Sequence, residues 1–262
     1  MERTKTGEFN WVDLSASDVE GQTRFYESLL GWTHTDMPYG QGMTYRMVMS
    51  DGHNVAGIAP LPPEQMKMGR QSGWNTYVHA DDVDAIVAKA AGLGAEVIMP
   101  PADVPDTGRI AAIKDPTGAV ISFWKPLRPD ATIEYGPAGT LGWNELDTRD
   151  PQKAIDFYTK LLGWKIESTP TPTFQYWQVD VDGTGEAGIM PMPEMVPAEV
   201  PSYWLVYFTV NDAKASTAKA AELGGKVMME PTEVPGMLWF SVIADPQGAA
   251  FALMQPLMAQ PA

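Results

Sequence analysis

Asp18-Val19-Glu20-Gly21-Gln22-Thr23-Arg24-Phe25-Tyr26-Glu27-Ser28-Leu29-Leu30-Gly31-Trp32 is the stretch on which the rest of the chain can be aligned. Its second half returns, nearly letter for letter, as Phe157-Tyr158-Thr159-Lys160-Leu161-Leu162-Gly163-Trp164. Asp18 reads as the start of a helix, Phe25, Leu29 and Leu30 as its apolar stripe, and Gly31 as its stop. Ahead of it, residues 9–14 alternate as a strand does, with Val12 and Leu14 on one face and Trp11 and Asp13 on the other. Behind it come strand-like segments near 32–38, 43–49 and 54–60, the last two joined by the turn Asp51-Gly52. This is one β-α-β-β-β unit.

A second unit of the same shape opens at Trp74. It enters a helix at Asp82-Val83-Asp84-Ala85 that stops at Gly92 or Gly94, then runs through strands at 96–99, 109–114 and 119–124, with Asp115-Pro116-Thr117-Gly118 as the last turn. The second half of the chain repeats both units. Asp150 answers Asp18, Asp182-Gly183 answers Asp51-Gly52, Asp212 answers Asp82, and Asp245-Pro246-Gln247-Gly248 answers Asp115-Pro116-Thr117-Gly118. The order predicts an α+β chain of four βαβββ units in two tandem domains, 8–127 and 140–257, joined by a Pro- and Gly-bearing linker over 128–139.

Composition narrows the class. The chain has 262 residues, enough for two domains of ordinary size, and 44% of them are hydrophobic, as in a globular protein. No run approaches the ~20 apolar residues of a membrane helix, and no apolar signal core follows the first residues, so a cytoplasmic protein is expected. With 18 basic and 33 acidic side chains the net charge is 18 − 33 = −15, which disfavours nucleic acid and anionic membrane as partners. A small molecule is the expected partner, and the chain a monomer or homodimer. Cysteine is absent, so any metal would have to be held by His or carboxylate.

The Phe-Tyr and Leu-Gly-Trp motifs of the first unit, with the Asp-Val-Asp-Ala helix, Gly-Ala and Asp-Pro-x-Gly of the second, resemble the vicinal oxygen chelate superfamily of glyoxalase I, bleomycin-resistance proteins and extradiol dioxygenases. The resemblance runs from Phe9 to Pro256. It implies paired units whose sheets curl around a ligand cavity and, in catalytic members, a metal held there by His and Glu. The ligand positions carried over from the family fall on Trp11 and Trp143, on about Thr76 and Val206, on Ser122 and Ala252, and near Gly57 and Gly188, with Glu186 the only carboxylate close to the last pair. This leaves at most one or two donors per cavity, so no metal or other cofactor is expected. His34, His53 and His79 fall on none of these positions.

Aromatic residues stand there instead. Trp11, Trp74, Trp124, Trp143, Trp204 and Trp239 are candidates to line a ligand pocket together with Thr76, Arg109, Ser122 and Val206; for the paired positions 11/143 and 74/204, filling of the core is an equal alternative. Trp32 and Trp164, just after a helix, are expected in the core. Asp13 and Glu145, two residues past Trp11 and Trp143, are the candidate acid or base groups. Leu61–Arg70 and Met192–Ser202, rich in Pro and Met, follow equivalent strands and would lie at a pocket mouth. Two functions stay open: a metal-free protein binding a hydrophobic or aromatic ligand such as an antibiotic or secondary metabolite, and a glyoxalase-like lyase, isomerase or oxygenase using a carboxylate base or a partial metal site.

Overall fold

Four aspartates start the four long helices. The side chains of Asp18, Asp82, Asp150 and Asp212 each accept the backbone N–H three residues on, satisfying one of the otherwise unpaired donors of a helix start. Gly31 and Gly163 end the first and third of these helices in the left-handed conformation that a side chain would resist. The computed structural model describes residues 3–39, 42–128, 132–169, 171 and 174–257. Residues 129–131 of the expected linker lie outside the described residues.

The first repeat runs β1 (Phe9–Ala16), α1 (Val19–Leu30), β2 (Thr33–Tyr39), β3 (Met43–Ser50), β4 (His53–Pro60), the short α2 (Pro63–Lys67), β5 (Gly73–His79), α3 (Val83–Gly92), β6 (Glu96–Val104), β7 (Gly108–Lys114) and β8 (Val120–Pro126). The second runs β9 (Leu141–Thr148), α4 (Pro151–Leu162), β10 (Lys165–Ser168), β11 (Trp177–Val181), β12 (Thr184–Pro191), β13 (Tyr203–Thr209), α5 (Ala213–Glu222), β14 (Lys226–Val234), β15 (Leu238–Ala244) and β16 (Ala250–Pro256). The strands form two eight-stranded sheets, in the orders β2-β3-β4-β1-β5-β8-β7-β6 and β10-β11-β12-β9-β13-β16-β15-β14. The fold is therefore the expected α+β tandem, with one sheet per repeat. The turns at Asp51-Gly52 and Asp182-Gly183 hold both residues at positive φ, as a two-residue hairpin requires.

Packing does not follow the sequence halves. The chain forms two compact units, one of Met1–Trp11, Asn75–Thr132 and Trp143–Leu205, the other of Val12–Trp74, Ile133–Gly142 and Val206–Ala262. In the first unit, α3 and α4 share one core: Val83, Ile86 and Val87 meet Ala154, Phe157 and Leu161 over the strand residues Ile113, Phe123, Leu146 and Ile189. Tyr158 stacks on Trp164 at 5.0 Å and donates its hydroxyl to Asp115 Oδ2 at 2.8 Å. Asp115 Oδ1 holds the turn itself, accepting from the backbone of Thr117 and Ala119. The Phe-Tyr motif of one repeat thus locks to the Asp-Pro-x-Gly motif of the other.

The second unit is built the same way from the remaining quarters. Tyr26 stacks on Trp32 at 5.6 Å, and its hydroxyl donates to Asp245 Oδ2 at 3.1 Å, which Gln22 Nε2 also reaches at 2.6 Å. Burial and the nearby carboxylate hold the Tyr26 and Tyr158 hydroxyls well above the usual phenol range, so both stay protonated donors. Trp32 and Trp164 are core, as expected, and their indole N–H groups are satisfied by the carbonyls of Gly139 at 2.6 Å and Gly7 at 2.9 Å. Among the described residues no helix is long and apolar enough to cross a membrane.

A buried carboxyl pair on β9 as the candidate functional site

On β9 the side chains divide cleanly. Leu146 joins the core beneath α4, so its neighbours Glu145 and Asp147 lie on the opposite face. β12 runs parallel to β9 with Gly188 beside Glu145. A Cβ at Gly188 would overlap the Tyr176 hydroxyl, so the glycine is the space in which this ring lies. That hydroxyl accepts from Trp143 Nε1 at 2.8 Å and is bonded to Glu145. Tyr203, one residue before Trp204 on β13, is hydrogen-bonded to Asp147. Trp143, Glu145, Asp147, Tyr176 and Tyr203 therefore form one constellation within the first compact unit.

Both carboxyls are buried, Asp147 at 3% exposure and Glu145 at 7%. Burial first, and the charge of Glu145 second, push the Asp147 carboxyl well above the usual carboxylate range, against the single opposing bond from Tyr203. Burial likewise raises the hydroxyls of Tyr176 and Tyr203, helped by the same carboxyls. Asp147 Oδ1 is buried and has no hydrogen-bond partner. Leaving such an atom unpaired costs about 1–3 kcal/mol, and a ligand donor would recover it.

The first repeat supplies only part of this. In the second compact unit Asp13, buried, lies beside Gly57, and Tyr45 crosses Gly57 as Tyr176 crosses Gly188. Ser15 stands where Asp147 would be, and Gly73 where Tyr203 would be. Trp11 is buried two residues before Asp13.

Several expected pocket residues face elsewhere. Trp74 and Trp204 belong to the cores: Trp74 donates to Tyr26 at 2.9 Å and packs on Phe208, and Trp204 donates to Tyr158 at 3.2 Å and packs on Phe9. Thr76 and Val206, two residues further along the same strands, share that orientation; Thr76 donates to Asn144 at 2.7 Å and Val206 is buried. The pocket positions expected on β5 and β13 therefore turn to the core side, and their immediate neighbours along each strand take the other face. Arg109 is clamped by Asp84 of α3, through two bonds at 2.6 and 2.8 Å, and by Asp103 at 2.7 Å, on the helix side of its sheet. Trp239 lies beneath Lys214 of α5, 4.0 Å from the ring centre, also on the helix side. Ser122 and Trp124 alternate with the core residue Phe123 and take the other face, where Trp124 lies against Gly108.

Asp147, Tyr176 and Tyr203 were missed. The spacing Trp143-x-Glu145-x-Asp147 was legible as one strand face, but nothing near in sequence points the two tyrosines at it.

A family model described as Glyoxalase/Bleomycin resistance protein/Dioxygenase superfamily matches residues 8–123 and again 140–253. The chain belongs to this superfamily. It is 42% identical over 253 residues to CFP32 of Mycobacterium tuberculosis, whose name carries the word glyoxylase, covering 96% of each chain. It is 33% identical over 270 residues to the anthracycline biosynthesis protein DnrV of Streptomyces peucetius, covering 97% of this chain and 95% of that one. Among solved structures, an Mn(II)-bound glyoxalase from Novosphingobium aromaticivorans superposes with a TM-score of 0.66 at 16% identity, over 97% of this chain and 84% of that one, a likeness of fold.

Metal-binding members of the superfamily raise the question of a metal here, and the residues present do not fit one. A firmly held divalent ion takes about three or four N or O donors, all deprotonated. The β9 constellation has two carboxyls, and that of Asp147 is pushed above the usual carboxylate range by burial and by Glu145. Glu186 is committed to Arg3 and to the backbone N–H of Phe9 at 3.4 Å. Among the described residues no group of three or more His, Asp or Glu side chains could hold an ion. His34 pairs with Glu27 at 2.6 Å, His79 lies between Asn10 at 3.2 Å and Asp81 at 3.3 Å, and His53 is near Glu134 at 4.0 Å.

Proposed function

We propose that the chain binds a planar aromatic small molecule at the Trp143–Glu145–Asp147 face of the second repeat, without a metal. The observation that carries this is the unpartnered, buried Oδ1 of Asp147. A ligand hydroxyl or N–H completes it, while the Trp143 ring offers a stacking surface worth about 0.5–1.5 kcal/mol beyond area burial. Two relatives at 33% and 32% identity are named anthracycline biosynthesis proteins, which favours a polycyclic secondary metabolite as the ligand class. The net charge of −15 favours a small molecule over nucleic acid or an anionic membrane surface.

Asp147 also supports a second function, proton transfer. A buried carboxyl whose hold on its proton is strengthened by a partner carboxyl is the arrangement of a general acid, and a bound substrate whose leaving or enolising oxygen met Oδ1 would be protonated there.

Titration with a dihydroxyanthraquinone, followed by tryptophan fluorescence, tests the binding function. Saturable quenching is expected in the unaltered protein, and Gly188→Ala, which drives Tyr176 out of its place, is expected to weaken it about tenfold by removing hydrogen-bonded contacts. Unsaturable quenching, or equal affinity in the variant, would refute this site.

A further inference from the structure

The β9 constellation bears on more than ring stacking. Its polar groups are two carboxyls, two phenols and an indole N–H, with the phenol of Tyr203 spent on Asp147 and that of Tyr176 shared between Glu145 and Trp143. The atom left over, Asp147 Oδ1, is an acceptor on a side chain more than nine-tenths buried. A neutral hydroxyl could fill one acceptor. Two carboxyls two residues apart on one strand face repel each other when both are ionised, and only a positive charge relieves that repulsion while supplying the missing donor. The rings of Trp143, Tyr176 and Tyr203 stand on the same face, and aromatic faces attract a cation held against carboxylates.

Resting on the small-ligand function above, we propose that Glu145 and Asp147 form a subsite for a protonated amine, so that the ligand class is an aromatic molecule carrying an ammonium group. The ammonium donates to Asp147 Oδ1, and any proton on the Asp147 carboxyl leaves to solvent as the amine binds. No bond other than these hydrogen bonds forms or breaks. The subsite is confined to the second repeat, because Ser15 and Gly73 stand in the first where Asp147 and Tyr203 stand in the second.

The test compares 2-naphthylmethylamine with 2-naphthylmethanol, which share the ring and differ in the charge, by isothermal titration calorimetry at pH 8. The amine is expected to bind at least about tenfold more tightly, as a charge-assisted pair requires. Asp147→Asn and Glu145→Gln are each expected to bring the ratio of amine to alcohol affinity close to one, and an unaltered near-ultraviolet circular-dichroism spectrum reports that both variants are folded. Equal affinity of the two probes, or an amine advantage that survives both substitutions, would overturn the ammonium subsite and leave the small-ligand function standing. Failure of both probes and of the dihydroxyanthraquinone to bind the unaltered protein would overturn both.

Discussion

Where the chain puts Asp147 strengthens its carboxyl's hold on the proton. Its carboxyl is raised above the value it has in the unfolded chain, by burial and then by Glu145. The folded state therefore keeps this proton to higher pH than the unfolded state does. The stability this contributes is fully present below the unfolded value, near pH 4, and is lost as pH rises through the raised folded value. Asp147→Asn removes that dependence. The difference in melting temperature between variant and unaltered protein is expected to move in the variant's favour as pH goes from 4 to 8; a difference that stays constant across that range would show that Asp147 is ionised in both states. At the same scale, Gly188 was legible in the sequence only as a repeat of Gly57. What it is for becomes clear from the Tyr176 ring that crosses it.

Among the elements, α4 and the turn after β7 are joined by one bond. Tyr158 donates to Asp115 Oδ2 and accepts from Trp204 Nε1, so its hydroxyl satisfies an acceptor and a donor at once. Tyr158→Phe leaves both buried and unpaired, at about 1–3 kcal/mol for a group of this kind. Chemical denaturation should report a loss in that range with little change in its slope, whereas a loss below ~0.5 kcal/mol, typical of a surface change, would mean that the two partners find other bonds. The helices themselves were readable in advance, because an Asp cap, an apolar stripe and a stop glycine act within a dozen residues. The strand faces of β5 and β13 were not. Alternation fixes which residues share a face but not which face is inward, and the tryptophans at 74 and 204 suit a pocket wall as well as a core. The tyrosines of α1 and α4 that bond them decide the matter.

For the molecule as a whole, the sequence halves and the compact units cut the chain differently. Each compact unit takes one quarter or more from either half, and the core around α3 and α4 is filled by residues of both. Residues 8–127 and 140–257, produced separately, are expected to be unstable as monomers, since each exposes apolar helix faces that burial would stabilise by about 1.5–3 kcal/mol per large side chain. Mixed together they should recover a cooperative melt, or each should self-associate with a second copy; sedimentation velocity distinguishes these, and a stable monomeric half would refute the shared cores. Caps, glycine turns and strand alternation are short-range effects, so the four-fold repeat, the helices and turns, the α+β class and the family resemblance can be read from the residues alone. Which quarters pack together, which tryptophans are core, and the meeting of Asp147, Tyr176 and Tyr203 on one face follow from the packed chain. Those depend on side chains as far apart along the chain as Gln22 and Asp245, separated by 223 residues, and that proximity is created by packing rather than by any local pattern.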